Sequence, residues 1–156
     1  MIDLREILDL EILLVFAKYT VLLTVKMMLM SLITAFYRMK KKAFANPEDA
    51  GSLGKGDAAK KFVRTDPDVE RLRRCHLNDI ENILPFILIG FFYSISGVSL
   101  ATATLHYRIF FASRIFHTIA YLVPLPQPCR ALAWFTGYLV TFSMVYKLLV
   151  HVLSIS

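Results

Sequence analysis

Asn82 to Tyr107 carries no charged side chain, and three other stretches come close to it. Ile12 to Tyr37 is interrupted only by Lys18 and Lys26, Leu100 to Val123 only by Arg108 and Arg114, and Ala131 to Val150 only by Lys147. A helical membrane span needs about 20 mostly apolar residues, and each stretch supplies them. The expectation is an all-α integral membrane protein, a bundle of four transmembrane helices at about 10–38, 66–96, 100–122 and 128–152. One real loop remains, 39–65. The chain is 56% hydrophobic, with only six glycines and six prolines, a balance proper to a membrane protein.

Charge sets the orientation. Ten of the 18 Lys and Arg residues fall between Met39 and Cys75, so the positive-inside rule puts that loop in the cytosol, both termini on the lumenal side and Pro124 to Cys129 back in the cytosol. The acidic start (Asp3, Glu6, Asp9, Glu11) lacks the basic region of a cleaved signal peptide, so the first span is expected to stay. The net charge of +6 then reads as a topology signal with some attraction to anionic lipid, and no nucleic-acid partner is expected. Cys75 and Cys129 both fall on the reducing side, where a structural disulfide is not expected.

Two local signals punctuate the loop. Asn46-Pro47-Glu48-Asp49 reads as a short helix start, broken by Gly51, Gly54 and Gly56, and Thr65-Asp66-Pro67-Asp68 as the start of the second long helix. On that helix Arg74, Asn78, Glu81 and Pro85 recur at helical spacing on one face, with Arg73 and His76 beside it. On the third helix Arg114, His117, Thr118 and Tyr121 do the same. Arg38 closes the first helix and Arg130 opens the fourth, so all four helices bring cationic or hydrogen-bonding residues to one membrane face.

A charge inside a bilayer must be paired, solvated or lining a cavity. Lys40, Lys41, Lys42, Lys60, Lys61 and Arg71 fit solvated or lipid-facing roles. Arg114 stands deeper, and Glu81 is its obvious partner in sequence. One carboxylate does not satisfy Arg38, Arg73, Arg74, Arg114 and Arg130 together. The surplus of forked guanidiniums suits an external anion with two carboxylates. Lys18 and Lys26 are read as lumenal anchors or contacts inside an oligomer. Cys75, flanked by Arg73, Arg74 and His76, is either a reactive thiolate or an accident of spacing. No His pair has metal-ligand spacing, so no metal is expected, and no phosphate loop, nucleophile elbow or paired-carboxylate motif is present.

The segments AFANPED (43–49), RTDPDVERLRRCHLNDIENILPF (64–86), SRIFHTIAYL (113–122) and PLPQPCRAL (124–132) resemble the MAPEG family, membrane-associated proteins of eicosanoid and glutathione metabolism. KMMLMS (26–31), TAFYR (34–38) and GYLVTFSMVYKLL (137–149) are most similar to its glutathione-transferase branch. The resemblance implies a homotrimer of four-helix protomers with glutathione as cosubstrate, bound between subunits near the cytosolic face. It puts Arg38, Arg73, Arg74, His76, Asn78, Glu81, Arg114, His117 and Tyr121 where relatives hold glutathione, and Arg130, the expected catalytic residue, where they hold its sulfur.

The implied function is a membrane-bound glutathione transferase that conjugates hydrophobic electrophiles and reduces lipid hydroperoxides. It is expected in the endoplasmic reticulum membrane with its site facing the cytosol, residence in the outer mitochondrial membrane being known in the family. Ala50 stands where transferase-type relatives have a cysteine that activates them, and Ala131 and Trp134 stand where synthase-type relatives have serine and tyrosine. The alternatives are a glutathione-dependent prostaglandin E synthase or broad ancestral-type enzyme, a non-catalytic lipid-binding adaptor, and a purely structural membrane subunit.

Overall fold

A computed structural model describes residues 10–54 and 56–155; the acidic residues Asp3, Glu6 and Asp9 lie outside them. Four long helices, α1 (Leu10–Lys41), α4 (Pro67–Ser94), α5 (Leu100–Leu122) and α6 (Cys129–Ile155), carry most of the chain. Two short ones, α2 (Pro47–Ala50) and α3 (Asp57–Lys60), sit in the loop with a 3-10 turn at Gly51–Leu53. Among the described residues the one β contact is an isolated parallel bridge between Phe44 and Val63.

The helix ends have local causes. Asp66 starts α4 by accepting from the backbone N–H of Asp68 at 2.9 Å and of Val69 at 3.3 Å, with Pro67 as the first helical residue, where no N–H is needed. Ser99 caps α5 by accepting from Thr102 N. Asn46 precedes α2 in extended backbone, but its amide donates to the Asp49 carboxylate at 3.1 Å instead of capping the backbone. α1 runs three residues past the expected Arg38 and ends in a left-handed cap without glycine. Lys42 adopts φ 49°, Lys42 N donates to Met39 O at 3.2 Å and Ala43 N to Arg38 O at 3.1 Å, the paired bonds of a Schellman motif.

The chain forms two compact units, residues up to 25 with 79 onward, and residues 26–78. In the first, α5 packs along α6 and the core is aromatic. Phe86 stacks on Phe110 at 3.8 Å with planes 5° apart, and Tyr107 meets Phe86 edge-on at 6.0 Å and Phe16 at 5.6 Å. Gly90 permits a close approach here: a Cβ at that position stands 2.6 Å from Phe16 Cε2. His106 donates through Nδ1 to the Thr102 carbonyl at 2.8 Å, so its Nε2 accepts from the Ser143 hydroxyl at 3.1 Å, tying α5 to α6.

In the second unit the two ends of the loop are fastened together. Phe44 N donates to Phe62 O at 2.9 Å and Arg64 N to Phe44 O at 3.2 Å, while Arg64 Nη2 donates to the Lys41 carbonyl at 2.9 Å. Lys41 Nζ pairs with Asp68 at 2.6 Å. Within the loop, Ala50 at the end of α2 is wholly buried.

Two of the helices, Leu10–Lys41 and Cys129–Ser154, are long and apolar enough to cross a membrane. Their outer faces are apolar, with Leu14, Val21, Met28 and Leu32 exposed on α1 and Leu132, Phe135, Leu139 and Phe142 on α6. The other two long helices are more polar: α4 opens with charged turns, and α5 carries Arg108 and Arg114 among histidines and hydroxyls.

Candidate active site

α4 buries one stripe, Leu72, Cys75, Asp79, Ile83, Phe86, Gly90 and Tyr93, at steps of three and four residues. A carboxylate therefore sits on its inward face. Asp79 Oδ1 accepts from Arg114 Nη2 at 2.7 Å, and both side chains have no solvent exposure. This corrects the expectation that Glu81 is the structural partner of Arg114. Two residues along a helix is about 200° of rotation, so Glu81 points away from the stripe and is exposed.

From Arg114 the contacts continue within the first unit. Arg114 Nη2 lies 3.1 Å from His117 Nδ1, and since a guanidinium only donates, Nδ1 accepts and the ring proton sits on Nε2. One turn on, the rings of His117 and Tyr121 are 5.0 Å apart. The Arg130 guanidinium lies over the face of Tyr121, 4.9 Å from its centroid. Arg130 stands in the first turn of α6, just after the cis Gln127–Pro128 peptide. Its Nε is buried without a hydrogen-bond partner among the described residues, so what they offer this cation is the face of Tyr121.

The second unit gathers a different part of the set. Arg38 and Arg73 line one cavity of about 420 Å³ with Phe44, Arg64, Asp66 and Glu70. Arg73 Nη1 donates to both Glu70 oxygens, at 2.9 and 3.1 Å. Arg74 is exposed, while His76 and Asn78 are half-buried, His76 with its Nδ1 inside and no hydrogen-bond partner among the described residues. Glu81 lines another groove of the first unit, about 180 Å³, with Pro85, Tyr138 and Phe142. Thus Arg114, His117, Tyr121 and Arg130 are brought together in one unit and Arg38 with Arg73 in the other; Arg74 and Glu81 join neither cluster.

The sequence reading missed Asp79. Its signal was an acidic residue in register with Leu72, Cys75, Ile83 and Phe86, a position that tolerates charge only with a partner. Cys75 shares that stripe and is wholly buried, and the 100° helical step turns Arg74 and His76 to either side of it. A thiol so placed is shielded from reagents in solvent. Among the described residues no group of three or more His, Cys, Asp or Glu is arranged to hold a metal.

A carboxylate–guanidinium–imidazole–phenol series leading to a cation at a helix start is what the RTDPDVERLRRCHLNDIENILPF, SRIFHTIAYL and PLPQPCRAL segments build. A model of the MAPEG family matches residues 16–150. The chain belongs to the MAPEG family. This MAPEG chain is 60% identical to microsomal glutathione S-transferase 1 of Mus musculus over 149 residues, covering 96% of each chain. It is 58% identical to the Homo sapiens protein of that name over the same coverage. Prostaglandin E synthase of Bos taurus is 41% identical over 143 residues, 92% of this chain and 91% of that one.

Proposed function

We propose that this chain is a membrane-bound glutathione transferase that stabilises the glutathione thiolate for attack on hydrophobic electrophiles. The observation that carries this reading is the gap between 60% identity to a microsomal glutathione S-transferase 1 and 41% to a prostaglandin E synthase, each over more than nine-tenths of both chains. Retention of Arg130 and the arginine set supports an enzyme over a lipid-binding adaptor or a structural subunit.

The residues divide by chemistry. Glutathione carries two carboxylates, an ammonium and a thiol. Arg38, Arg73 and Arg74 suit the carboxylates, Glu81 the ammonium, and His76, Asn78 and Tyr121 the peptide groups by hydrogen bonds. Arg114 is wholly buried on Asp79, so in this reading it serves the site through His117. The free thiol has a pKa of about 8.5 and is mostly protonated at neutral pH. Lowering it by about two units takes roughly 2.7 kcal/mol of differential stabilisation, a fitting contribution for the Arg130 guanidinium in the first turn of α6, where the helix dipole also favours an anion. The thiol proton leaves to solvent. With a chlorinated nitroarene the thiolate forms a C–S bond as the C–Cl bond breaks, and chloride departs. With a lipid hydroperoxide it takes the terminal oxygen, releasing the lipid alcohol, and a second glutathione condenses with the sulfenic product to give disulfide and water.

Four membrane-spanning helices per protomer, a homotrimer with sites between subunits, and an endoplasmic reticulum location with the basic loop in the cytosol complete the proposal. The open polar face of α4, with Arg74, Glu81 and Pro85 exposed and Asn78 half-buried on a lone protomer, supports a neighbouring subunit there. Purified chain in detergent is expected to conjugate glutathione to the nitroarene well above the uncatalysed rate, and Arg130→Ala to lose most of that rate while still binding glutathione. Unchanged turnover in Arg130→Ala refutes the assignment. Turnover of a prostaglandin endoperoxide with none of the nitroarene moves the chain to the synthase reading.

A further inference from the structure

Four contacts in the first unit join end to end: Asp79 to Arg114 at 2.7 Å, Arg114 to His117 at 3.1 Å, the rings of His117 and Tyr121 at 5.0 Å, and Tyr121 to the Arg130 guanidinium at 4.9 Å. The series starts at two side chains with no exposure and ends at a half-buried cation. We propose that Asp79 is a positioning residue for the thiolate site, acting through Arg114, His117 and Tyr121 to hold the guanidinium of Arg130. The inference rests on the reading of Arg130 as the residue that meets the glutathione sulfur.

Each link removes a freedom. Arg114 is a long side chain that swings unless anchored, and Asp79 fixes its fork from a site that water does not reach. The anchored Nη2 holds His117 by Nδ1, which sets both the tautomer and the ring plane. The ring of His117, 2% exposed, backs the ring of Tyr121. A cation over an aromatic face is attracted but only loosely directed, so the guanidinium is no better placed than the ring beneath it. Charge stabilisation falls away when the stabilising group has to reorganise as charge develops. A carboxylate remote from the sulfur therefore governs how well the thiolate is held.

The test uses the full chain in detergent, with bound thiolate read by its ultraviolet absorbance. S-methylglutathione, which has no thiol proton, reports binding alone. Asp79→Asn is expected to raise the pKa of the bound thiol by about one unit, which at neutral pH lowers the thiolate fraction about threefold when that pKa starts about two units below the free value. The loss of S-methylglutathione affinity is expected to be much smaller, because of its contacts only the one to Tyr121 is loosened. In an Arg130→Lys background the same change is expected to remove less than about twofold more, because both act on one group. Wild-type thiolate in Asp79→Asn overturns the inference and leaves the Arg130 reading intact, as do losses that multiply in the double variant. Wild-type thiolate in Arg130→Lys overturns the Arg130 reading itself. Should Asp79→Asn fail to fold, Asp79→Asn with Arg114→Gln replaces the ion pair by two amides and leaves no buried charge alone; full thiolate there overturns the inference equally.

Discussion

Gly90 and Asp79 show what one side chain controls in a packed helix. With Phe16 Cε2 only 2.6 Å from where a Cβ at residue 90 stands, Gly90→Ala sets a gain in helix propensity of about 1 kcal/mol against an overpacking cost of about 1–3 kcal/mol. Phe16 is 6% exposed and packs on Tyr107, so its ring has little room to retreat. The expected outcome is a lowered thermal midpoint for Gly90→Ala, recovered when Phe16→Leu is added. Glycine at 90 was legible as a letter but not as a contact, since the ring it admits is more than seventy residues away in sequence. Asp79 was legible in principle: its register with Leu72 and Ile83 marks the inward face. It was hidden because Glu81 looked like the natural mate of Arg114, and only the rotation of the helix decides between two carboxylates two residues apart.

At the scale of elements, the start of α4 was legible in the sequence and the stop of α1 was not. Asp66-Pro67 announces α4 with a carboxylate acceptor and a residue that needs no donor, and the helix begins at Pro67. The end of α1 has no such mark, because its left-handed residue is Lys42 and not the glycine that usually signals this cap. A left-handed conformation costs a residue with a Cβ roughly 1–2 kcal/mol relative to a right-handed one. Lys42→Gly is therefore expected to raise stability by about 0.5–1 kcal/mol after the extra unfolded-state freedom of glycine is deducted. Thermal or denaturant midpoints of the two proteins check it, and Lys42→Val is expected to move the other way. The short helices and 3-10 turn inside the 39–65 loop were legible only as the Asn46-Pro47 start and the glycines that interrupt it.

For the whole molecule, the apolar outer faces of α1 and α6 and the polar open face of α4 set two different demands, lipid for one and a polar neighbour for the other. The proposed trimer answers the second. Glutathione is expected to stabilise the assembled protein by about 2.7 kcal/mol at a hundred times its dissociation constant, seen as a concentration-dependent rise in thermal midpoint that Arg38→Ala weakens; no rise at any concentration counts against a glutathione site. Pairwise geometry within each unit does not follow from composition or spacing, which is why the sequence could list the arginines but not sort them into clusters. The fastened base of the loop has a consequence of its own. Phe44–Val63, Arg64–Lys41 and Lys41–Asp68 act as a buckle, and beyond a buckle the strap is free to vary. Residues 51–53 are exposed and lie beyond the buckle, so a change of length there does not tug on the ends of α1 and α4 that it fastens, a natural place to splice in a reporter.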